Sequence, residues 1–433
     1  MLGAHRMKRR TLASAAVLAA ATAGLASCGG GGGGRKEVRF TFSKREAISF
    51  MTEVVNEYNE SQDQFFVEMD TSGPDVISAS FVRGNPPDLM LANYNFEVAR
   101  FIQRCVVSDL SDTAPAAKIN QDLLPLLEQY GVCEGQLSAI PYSVMAASVI
   151  YNKEIFAEHD LEVPTTWSEL IEVCDTLKDA GVDPFYGTFA DPWTVNQGWS
   201  DYSIGGSLDV LEFFDQMWAQ GEDIGPDSAV SFEQDFLEPL EKMQLLASDY
   251  ANPEARARRY DIGNVQFASG DGAMYLQGPW AFSEIAKTAP DLEVGSFPLP
   301  MTDDPEDLKV RVNLDLAAMI PSDAANPEGA RDFLEFLFEE ERIAAYNASQ
   351  LGFVPQTGSA QPDDPRVEGM VSYYENGQIY QGPGVLIPKA IPTENYMQSI
   401  ILGEDAASVL RTMDTDWARL AYRQPAPEAE VEG

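Results

Sequence analysis

The sequence predicts an α/β fold, and three observations support this prediction. The 433 residues are 45% apolar and 22% charged, a composition typical of a globular protein and unlike that of a disordered chain or a membrane protein. Short apolar runs alternate with amphipathic helical segments from residue 37 onwards. The length is enough for about two to three domains. Strands that alternate with helices pair in parallel beneath a helical layer.

The first elements follow in the order β-α-β-α-β. Residues 37–42, 65–69 and 88–92 are short apolar runs that predict strands, and the last run follows a Gly-Asn-Pro-Pro turn signal. Residues 46–60 place their apolar side chains at helical spacing on one face. This order predicts a parallel sheet covered by helices.

Two later helices are marked by their patterns. Thr166 and Glu169 form a capping box at the start of a helix predicted over residues 166–180. The apolar stripe over residues 328–346 predicts one continuous helix. Both segments are amphipathic, so each is expected to cover a sheet or a neighbouring helix.

The N-terminus has the layout of a secretory signal peptide. Basic residues at positions 6, 8, 9 and 10 precede an uncharged stretch over residues 11–27, which is short for a spanning helix. We predict a signal peptide over residues 1–27. The segment Leu25-Ala26-Ser27-Cys28 resembles a bacterial lipobox, so Cys28 is expected to be lipidated at the head of a glycine-rich tether over residues 28–35. An ordinary cleaved signal is the alternative, and the Sec and twin-arginine export routes both stay open.

The charge balance and the rare residues exclude several classes of function. Against 68 Asp and Glu stand 29 Lys and Arg, a net charge of −39 that repels phosphate backbones and anionic headgroups. We expect no nucleic-acid partner and no membrane contact except through the N-terminal anchor. The chain has 2 His and 4 Cys, which argues against a metal site or a histidine-dependent active site. Neither a metal nor a cofactor is expected.

Seven segments, in one order along the chain, resemble the extracellular solute-binding proteins of sugar-importing ABC transporters. The likeness is to the proteins of the maltose and raffinose type, and it covers about residues 36–420. The segments are Gly84–Leu89, Ala139–Tyr142 with Ile150–Phe156, Val163–Leu170, Phe267–Met274, Gly278–Trp280, Phe297–Pro300 and Leu351–Pro355.

The resemblance implies a two-lobed periplasmic-binding-protein-like fold with several chain crossovers and a ligand cleft between the lobes. One lobe would comprise residues 36–143 and 298–349, the other residues 144–297 and 350–423, and a disordered tail would follow over residues 424–433. The protein would be a monomer without enzymatic activity. It would stay on the outer face of the membrane and deliver a sugar, expected to be an oligosaccharide, to ABC permease subunits.

The resemblance also proposes ligand-binding residues. Trp280, which follows a Gly-Pro turn, is expected to stack on a sugar ring, since aromatic rings offer flat apolar area. Asp315 is expected to accept hydrogen bonds from sugar hydroxyls, with Asn313 beside it. Both follow the predicted strand 310–312 and precede a second predicted strand, 316–320. A core position for Trp280 and a turn position for Asp315 are the alternatives.

Further candidates come from polar segments and from the ends of predicted strands, where open sheets bind ligands. Two tryptophans in the polar segment 190–202 resemble a cleft loop of the second lobe. The remaining candidates lie at strand ends or at the crossover between lobes. Together they are Asp191, Trp193 and Trp199 in the loop, and Glu46, Asn93, Asn95 and Tyr142 at the other positions.

Three cysteines remain after the predicted signal peptide. Cys105 and Cys133 are expected to form a disulfide in the first lobe, near the ends of neighbouring predicted strands, because Cys174 lies on a buried helical face.

Three other functions stay open at this point. An extracellular glycosidase needs two carboxylates in a cleft, and an acidic chain can supply them. A binding protein for another solute, such as a polyamine, would suit the acidity because carboxylates and aromatic rings also hold ammonium groups. A free-standing adhesin has no positive support in the sequence.

Overall fold

The computed structural model describes residues 34–129, 131–221 and 224–420. The predicted signal peptide, the lipidation site Cys28 and the tail 424–433 lie outside the described residues. Within the described ranges, none of the helices combines the length and the apolar character that a membrane-spanning helix requires.

The chain alternates between strands and helices at its N-terminal end, and a long run of helices separates the fourth strand from the fifth. The strands are β1 (Lys36–Phe42), β2 (Phe65–Asp70), β3 (Leu89–Ala92), β4 (Ile140–Asn152), β5 (Met274–Gln277), β6 (Val294–Phe297), β7 (Val310–Met319) and β8 (Ile379–Gln381). The helices are α1 (Ile48–Ser61), α2 (Pro74–Val82), α3 (Phe96–Gln103), α4 (Leu124–Glu128), α5 (Lys153–Glu158), α6 (Trp167–Asp179), α7 (Pro192–Thr194), α8 (Asp201–Gly205), α9 (Val210–Ala219), α10 (Phe232–Asp249), α11 (Tyr260–Ala268), α12 (Phe282–Thr288), α13 (Pro327–Leu337), α14 (Glu340–Gln350), α15 (Glu368–Glu375), α16 (Thr393–Ile401) and α17 (Ala406–Leu420).

The mixed sheet has the strand order β2-β1-β3-β7-β4-β5, with β6 paired to β4 and β8 paired to β7. Strand β1 is parallel to both β2 and β3, so the predicted β-α-β-α-β order and its parallel pairing are confirmed. Strands β3, β7 and β4 then pair antiparallel, which makes the sheet as a whole mixed.

Two long strands, β4 and β7, connect the parallel part of the sheet to the rest of the molecule. The last residues of β7 pair with β3, and its first residues pair with β8. The last residues of β4 pair with β5 and β6. The pairing of β4 with β7 shifts register between Pro141 and Val144, next to the predicted lobe boundary at residue 143. Such an irregularity bends a strand locally, so these two strands are suited to carry a crossover between lobes.

Two hydrophobic clusters surround the sheet. The smaller one packs β1, β2 and α1 against α13 and α14, with Phe40, Tyr58 and Phe333 in ring contact at its centre. The larger one contains buried side chains of the helices between β4 and β5, and it reaches the helices that follow β3. The two cores fit a two-lobed molecule, whereas the exact lobe boundaries stay a prediction.

The structure corrects two predictions of secondary structure. Residues 328–346 belong to two helices, α13 and α14, because Phe338 and the extended residue Glu339 interrupt the helical conformation. The Phe338 ring, 4% exposed, packs against Tyr142 with the ring centroids 5.1 Å apart. The break lets both Phe338 and the apolar face of α14 reach the core.

The second correction concerns the strand that carries Asp315. The two predicted strands 310–312 and 316–320 are one continuous strand, β7. Asn313 and Asp315 therefore lie within a strand and not in a turn between two strands. Their side chains alternate with the buried Leu314 and Leu316, so they point away from the core on that side of the sheet.

Two local predictions agree with the structure. Thr166 and Glu169 form the capping box of α6, with both reciprocal hydrogen bonds present. Cys105 and Cys133 are joined in a disulfide with their Cα atoms 5.3 Å apart, and Cys174 is a buried free thiol on α6. Cys105 follows helix α3 at a positive φ of 50°, so the bond ties a helix end, and not a strand end, to the loop before β4.

Candidate functional site

One group of polar side chains gathers around Asp315 on strand β7. The Asp315 Oδ2 atom lies 2.5 Å from the Lys44 Nζ atom, which follows the end of β1, and the Glu46 Oε1 atom lies 3.8 Å from the same ammonium. The side chains of Lys44 and Asp315 are 12% and 13% exposed, whereas that of Glu46 is 65% exposed. Asp315 is thus held at the edge of the solvent by an ion pair.

Two amides extend this group towards the end of β3. The Asn93 Nδ2 atom donates to the Asp315 backbone carbonyl at 3.0 Å, and the Asn95 Nδ2 atom donates to the Asn93 Oδ1 atom at 3.3 Å. Asn93 is exposed and Asn95 is half-buried. These two predicted residues are therefore brought to Asp315, and we call Lys44, Glu46, Asn93, Asn95, Asn313 and Asp315 the carboxylate cluster.

Asn313 lies on the same face of β7 as Asp315. Residues two apart on a strand share a face and are about 6.6 Å apart. Its cross-strand partner on β4 is Met145, and both side chains are half-buried. This face therefore presents an amide and a flexible apolar side chain next to the carboxylate.

Burial sets the electrostatics of this cluster. Burial raises the pKa of Asp315, the Lys44 ammonium opposes that rise, and the Glu46 carboxylate adds to it. Behind Asp315, burial and the same two carboxylates raise the pKa of the Tyr346 hydroxyl, which stays a neutral phenol. The Lys44 ammonium, which is close and nearly as buried, favours the charged form of Asp315 against this burial.

A second group contains the predicted aromatic residues. The Trp280 Nε1 atom donates to the Gln277 Oε1 atom at 3.0 Å, which fixes the indole over the turn that follows β5. The Tyr260 hydroxyl donates to the Trp280 backbone carbonyl at 3.3 Å, and the Tyr260 ring meets Trp193 edge to face at 5.0 Å. Trp193, Tyr260 and Trp280 are all half-buried.

Asp191 binds the backbone of Tyr260 in this group. Its Oδ2 atom accepts from the Tyr260 backbone N–H at 2.8 Å, at the first residue of α11, and its Oδ1 atom lies 3.8 Å from the Arg259 guanidinium. A carboxylate suits the positive end of a helix. We call Asp191, Trp193, Tyr260, Gln277 and Trp280 the aromatic cluster, in which Asp191 orients Tyr260.

Strand β4 links the two clusters. Asp315 lies opposite the segment Ser143–Val144 of β4, and Gln277 lies opposite Ser148. At about 3.4 Å per residue, the clusters are separated by roughly 15 Å along this strand. That distance exceeds one sugar ring, so a ligand that contacts both clusters would be extended.

Two predicted site residues belong to the core. Trp199 is 1% exposed, within a π-helical turn between α7 and α8, and its ring packs against Phe185 and Phe189. Tyr142 is fully buried between Phe338 and Tyr346. Neither ring is accessible to a ligand in this structure, because strand β4 and the helical stretch 192–205 turn these side chains inward.

Sequence reasoning missed three residues next to the proposed site. Lys44 lies two residues before the predicted Glu46, and an ammonium there is the natural partner of a buried carboxylate. Tyr260 contacts both Trp193 and Trp280, and no motif signalled it. Arg311, on the same face of β7 as Asn313 and Asp315, forms a buried ion pair with Asp201, with its Nε atom 2.9 Å from the Asp201 Oδ2 atom.

Glycines allow the C-terminal segment to approach this buried pair. A Cβ atom on Gly382 would lie 2.0 Å from the Asp201 Oδ2 atom, and the Gly384 N–H donates to the Asp201 Oδ1 atom at 3.0 Å. This segment follows β8. Its role in this structure is to close over Asp201 and Arg311.

Other sites find little support in the described part of the chain. No group of three or more His, Cys, Asp or Glu side chains could hold a metal ion among residues 34–129, 131–221 and 224–420. Two cavities of about 370 and 460 Å³ lie elsewhere, one beside Tyr151 and Tyr373 and the other beside Tyr58 and Gln356. The two clusters therefore remain the best candidate for a binding site.

Comparisons with known proteins identify the family. Residues 47–342 match the sequence model of the family described as bacterial extracellular solute-binding protein. A multiple sugar-binding protein of Streptococcus mutans is 23% identical over 315 residues, which cover 71% of this chain and 72% of that protein. A diacetylchitobiose-binding protein of Streptomyces coelicolor is 22% identical over 304 residues, or 64% of this chain and 61% of that one.

Solved structures share the fold. The ligand-free structure of RafE from Streptococcus pneumoniae superposes with a TM-score of 0.77 at 19% identity, and covers 89% of this chain and 97% of its own. RafE in complex with raffinose gives a TM-score of 0.70 at 20% identity, with 87% and 97% covered. Both are two-lobed solute-binding proteins, so the predicted fold class is confirmed.

Proposed function

Because this chain belongs to the bacterial extracellular solute-binding protein family, we propose that it captures a neutral oligosaccharide and delivers it to the permease of an ABC importer. One observation carries the proposal: strand β4 links the carboxylate cluster, in which Asp315 is paired with Lys44, to the half-buried rings of the aromatic cluster. Carboxylates and amides bind hydroxyl groups, and aromatic rings stack on the apolar faces of sugars.

The carboxylate cluster would bind the hydroxyl groups. Asp315 keeps lone pairs free for hydroxyl donors beside its bond to Lys44, and a carboxylate forms stronger hydrogen bonds than a neutral acceptor does. Asn93 and Asn313 add donors and acceptors on the same edge. A sugar ring that offers several hydroxyls in fixed directions fits such a set.

The aromatic cluster would bind a ring face. Trp280 is held by Gln277 and Trp193 by Tyr260, so both indoles are oriented before a ligand arrives. Preorganised rings lose little conformational entropy on binding. The separation of about 15 Å along β4 favours a ligand of more than one sugar unit.

The names of similar proteins point the same way. The relatives include a multiple sugar-binding protein and a diacetylchitobiose-binding protein, and the structural neighbours include complexes with raffinose and with stachyose. All of these ligands are neutral oligosaccharides. We propose the same class for this protein, without enzymatic turnover, so the sugar would leave the site unchanged.

We also propose that the mature protein is lipid-anchored at Cys28 on the outer face of the membrane, as a monomer. Replacing Cys28 with Ser should move the protein from the membrane fraction to the soluble fraction, because the residue that would carry the lipid is lost. Unchanged membrane association of Cys28→Ser would contradict the anchor without affecting the sugar proposal.

A thermal-shift screen of residues 35–433 tests the ligand class. Raffinose, stachyose, diacetylchitobiose and galactose should be compared, and calorimetry should follow any shift. We expect at least one oligosaccharide to raise the melting temperature and to be recovered intact. Stabilisation by none of a broad panel of sugars, or release of cleaved sugar, would contradict the proposal.

A further inference from the structure

We propose that Lys44 makes the site selective for neutral ligands, because its ammonium occupies the place that a cationic ligand would take beside Asp315. This inference rests on the proposed function and deepens it. The sequence alone left a polyamine ligand open, since an acidic chain with many aromatic side chains can hold ammonium groups.

Three charged side chains determine the net charge of the carboxylate cluster. Asp315 and Glu46 each carry a negative charge and Lys44 carries a positive one, which leaves a net charge of −1. The Lys44 Nζ atom contacts both carboxylates, at 2.5 Å and 3.8 Å. A ligand ammonium would have to displace this internal ammonium or lie next to it, and like charges at such distances repel strongly in a poorly solvated site.

Lys44 is held in place by its two carboxylate partners. Its side chain is only 12% exposed, so the ammonium has little water and depends on the two carboxylates for its solvation. Removing one partner of a buried pair leaves the other charge uncompensated, which is costly. A hydroxyl group, in contrast, binds to the free lone pairs of Asp315 without moving the lysine.

Glu46 supplies a second carboxylate beside Lys44. Glu46 is 65% exposed and lies on the solvent side of Lys44. Without the lysine, Asp315 and Glu46 would form a pair of carboxylates about 15 Å along β4 from the half-buried aromatic rings. Carboxylates and aromatic rings are the groups that bind ammonium ligands such as polyamines. One side chain therefore separates a sugar site from a polyamine site in the same cleft.

The test compares raffinose, stachyose and spermidine on the wild type, Lys44→Gln, Lys44→Gln/Asp315→Asn and Lys36→Gln. Lys36 is the matched control, since it forms an exposed pair with Glu328 at 2.8 Å, 59% and 64% exposed. Calorimetry at two salt concentrations measures affinity, and melting curves report folding. The double variant keeps the net charge at −1 and removes the ion pair.

We expect no spermidine binding by the wild type, the control or the double variant. Lys44→Gln should gain spermidine affinity by at least tenfold, weakening with salt, and lose sugar affinity by at least tenfold. Spermidine binding by the wild type would overturn the inference whether or not Lys44→Gln folds. A folded Lys44→Gln that gains no spermidine affinity would also overturn it, whereas failure of every sugar on the wild type would overturn the proposed function instead.

Discussion

Two ion pairs lie four residues apart on one face of strand β7, and they differ in solvent access. The pair of Arg311 and Asp201 has side chains that are 1% and 2% exposed, whereas Asp315 and Lys44 are 13% and 12% exposed. Burial raises the pKa of both aspartates, and the facing cation opposes this in each case. Two aspartate–cation pairs on the same strand therefore differ mainly in their access to solvent.

The two pairs differ in the chain segments that surround them. The Arg311 pair is covered by the glycine-rich segment after β8, and the Gly384 N–H completes the coordination of Asp201. The Asp315 pair keeps more contact with solvent and has two amides beside it. Both pairs join segments that are distant in sequence, but only the Asp315 pair has enough access to solvent to be proposed as a ligand contact.

The largest expected effect is on the covered pair. Arg311→Met should lower the free energy of unfolding by about 3–5 kcal/mol, because it leaves the Asp201 carboxylate buried without its cation. Urea unfolding followed by circular dichroism measures the change. The variant Arg311→Met/Asp201→Asn should recover part of the loss, since a neutral amide still accepts from the Gly384 N–H. A wild-type midpoint for Arg311→Met would contradict the assignment of this pair as structural.

A contrast between two tryptophans sharpens the same distinction. Trp280→Ala should weaken sugar binding by about 2 kcal/mol or more, as truncation of an aromatic hot spot does, and should change the melting temperature little. Trp199→Ala should instead destabilise the fold by about 3–5 kcal/mol, since its ring fills the core. Calorimetry together with melting curves separates the two effects. Collapse of the Trp280 variant would place that ring in the core.

The Asp315 pair should affect affinity more than stability. Asp315→Asn removes a charged acceptor from sugar hydroxyls, which we expect to cost about 1.5–3 kcal/mol, or roughly tenfold to a hundredfold in Kd. Glu46, at 3.8 Å, still compensates part of the Lys44 charge, so Asp315→Asn should destabilise the fold less than Arg311→Met does. Unchanged sugar affinity of Asp315→Asn would remove this residue from the site.

The smallest effect concerns a buried carboxylate without a cation partner. Burial raises the pKa of Asp414 to about 6, while the backbone N–H groups of Phe232 and Glu233, at 2.7 and 3.0 Å, oppose the rise. A pKa above the unfolded value means that the folded state binds more protons, so this contribution to stability is present at low pH and declines as pH rises through about 4 to 6. Urea titrations across that window should show this slope in the wild type and a flatter one in Asp414→Asn. Identical slopes would contradict the shift.

The amino-acid sequence by itself determined the local structure and the class of the protein. The alternation of β1, α1, β2, α2 and β3, and the capping box of α6, depend on residues close together in the chain, so periodicity and spacing suffice to predict them. The ordered motifs identified the solute-binding family because each records a local turn or strand entry. Asp191, Trp193 and Trp280 were found in the same way, and the structure brings them together.

Only the tertiary structure decided which polar and aromatic residues meet. Lys44 and Asp315 are 271 residues apart in the chain, and no local pattern reports such a contact. Trp199 and Trp280 both lie in segments that resemble the family's cleft, yet one ring packs into the core because a π-helical turn directs it inward. The continuity of β7 depends on pairing with β3, β4 and β8 along its length, and such long-range hydrogen bonds override the local strand signals. The physical reason is the same in each case: burial and pairing are properties of the assembled fold.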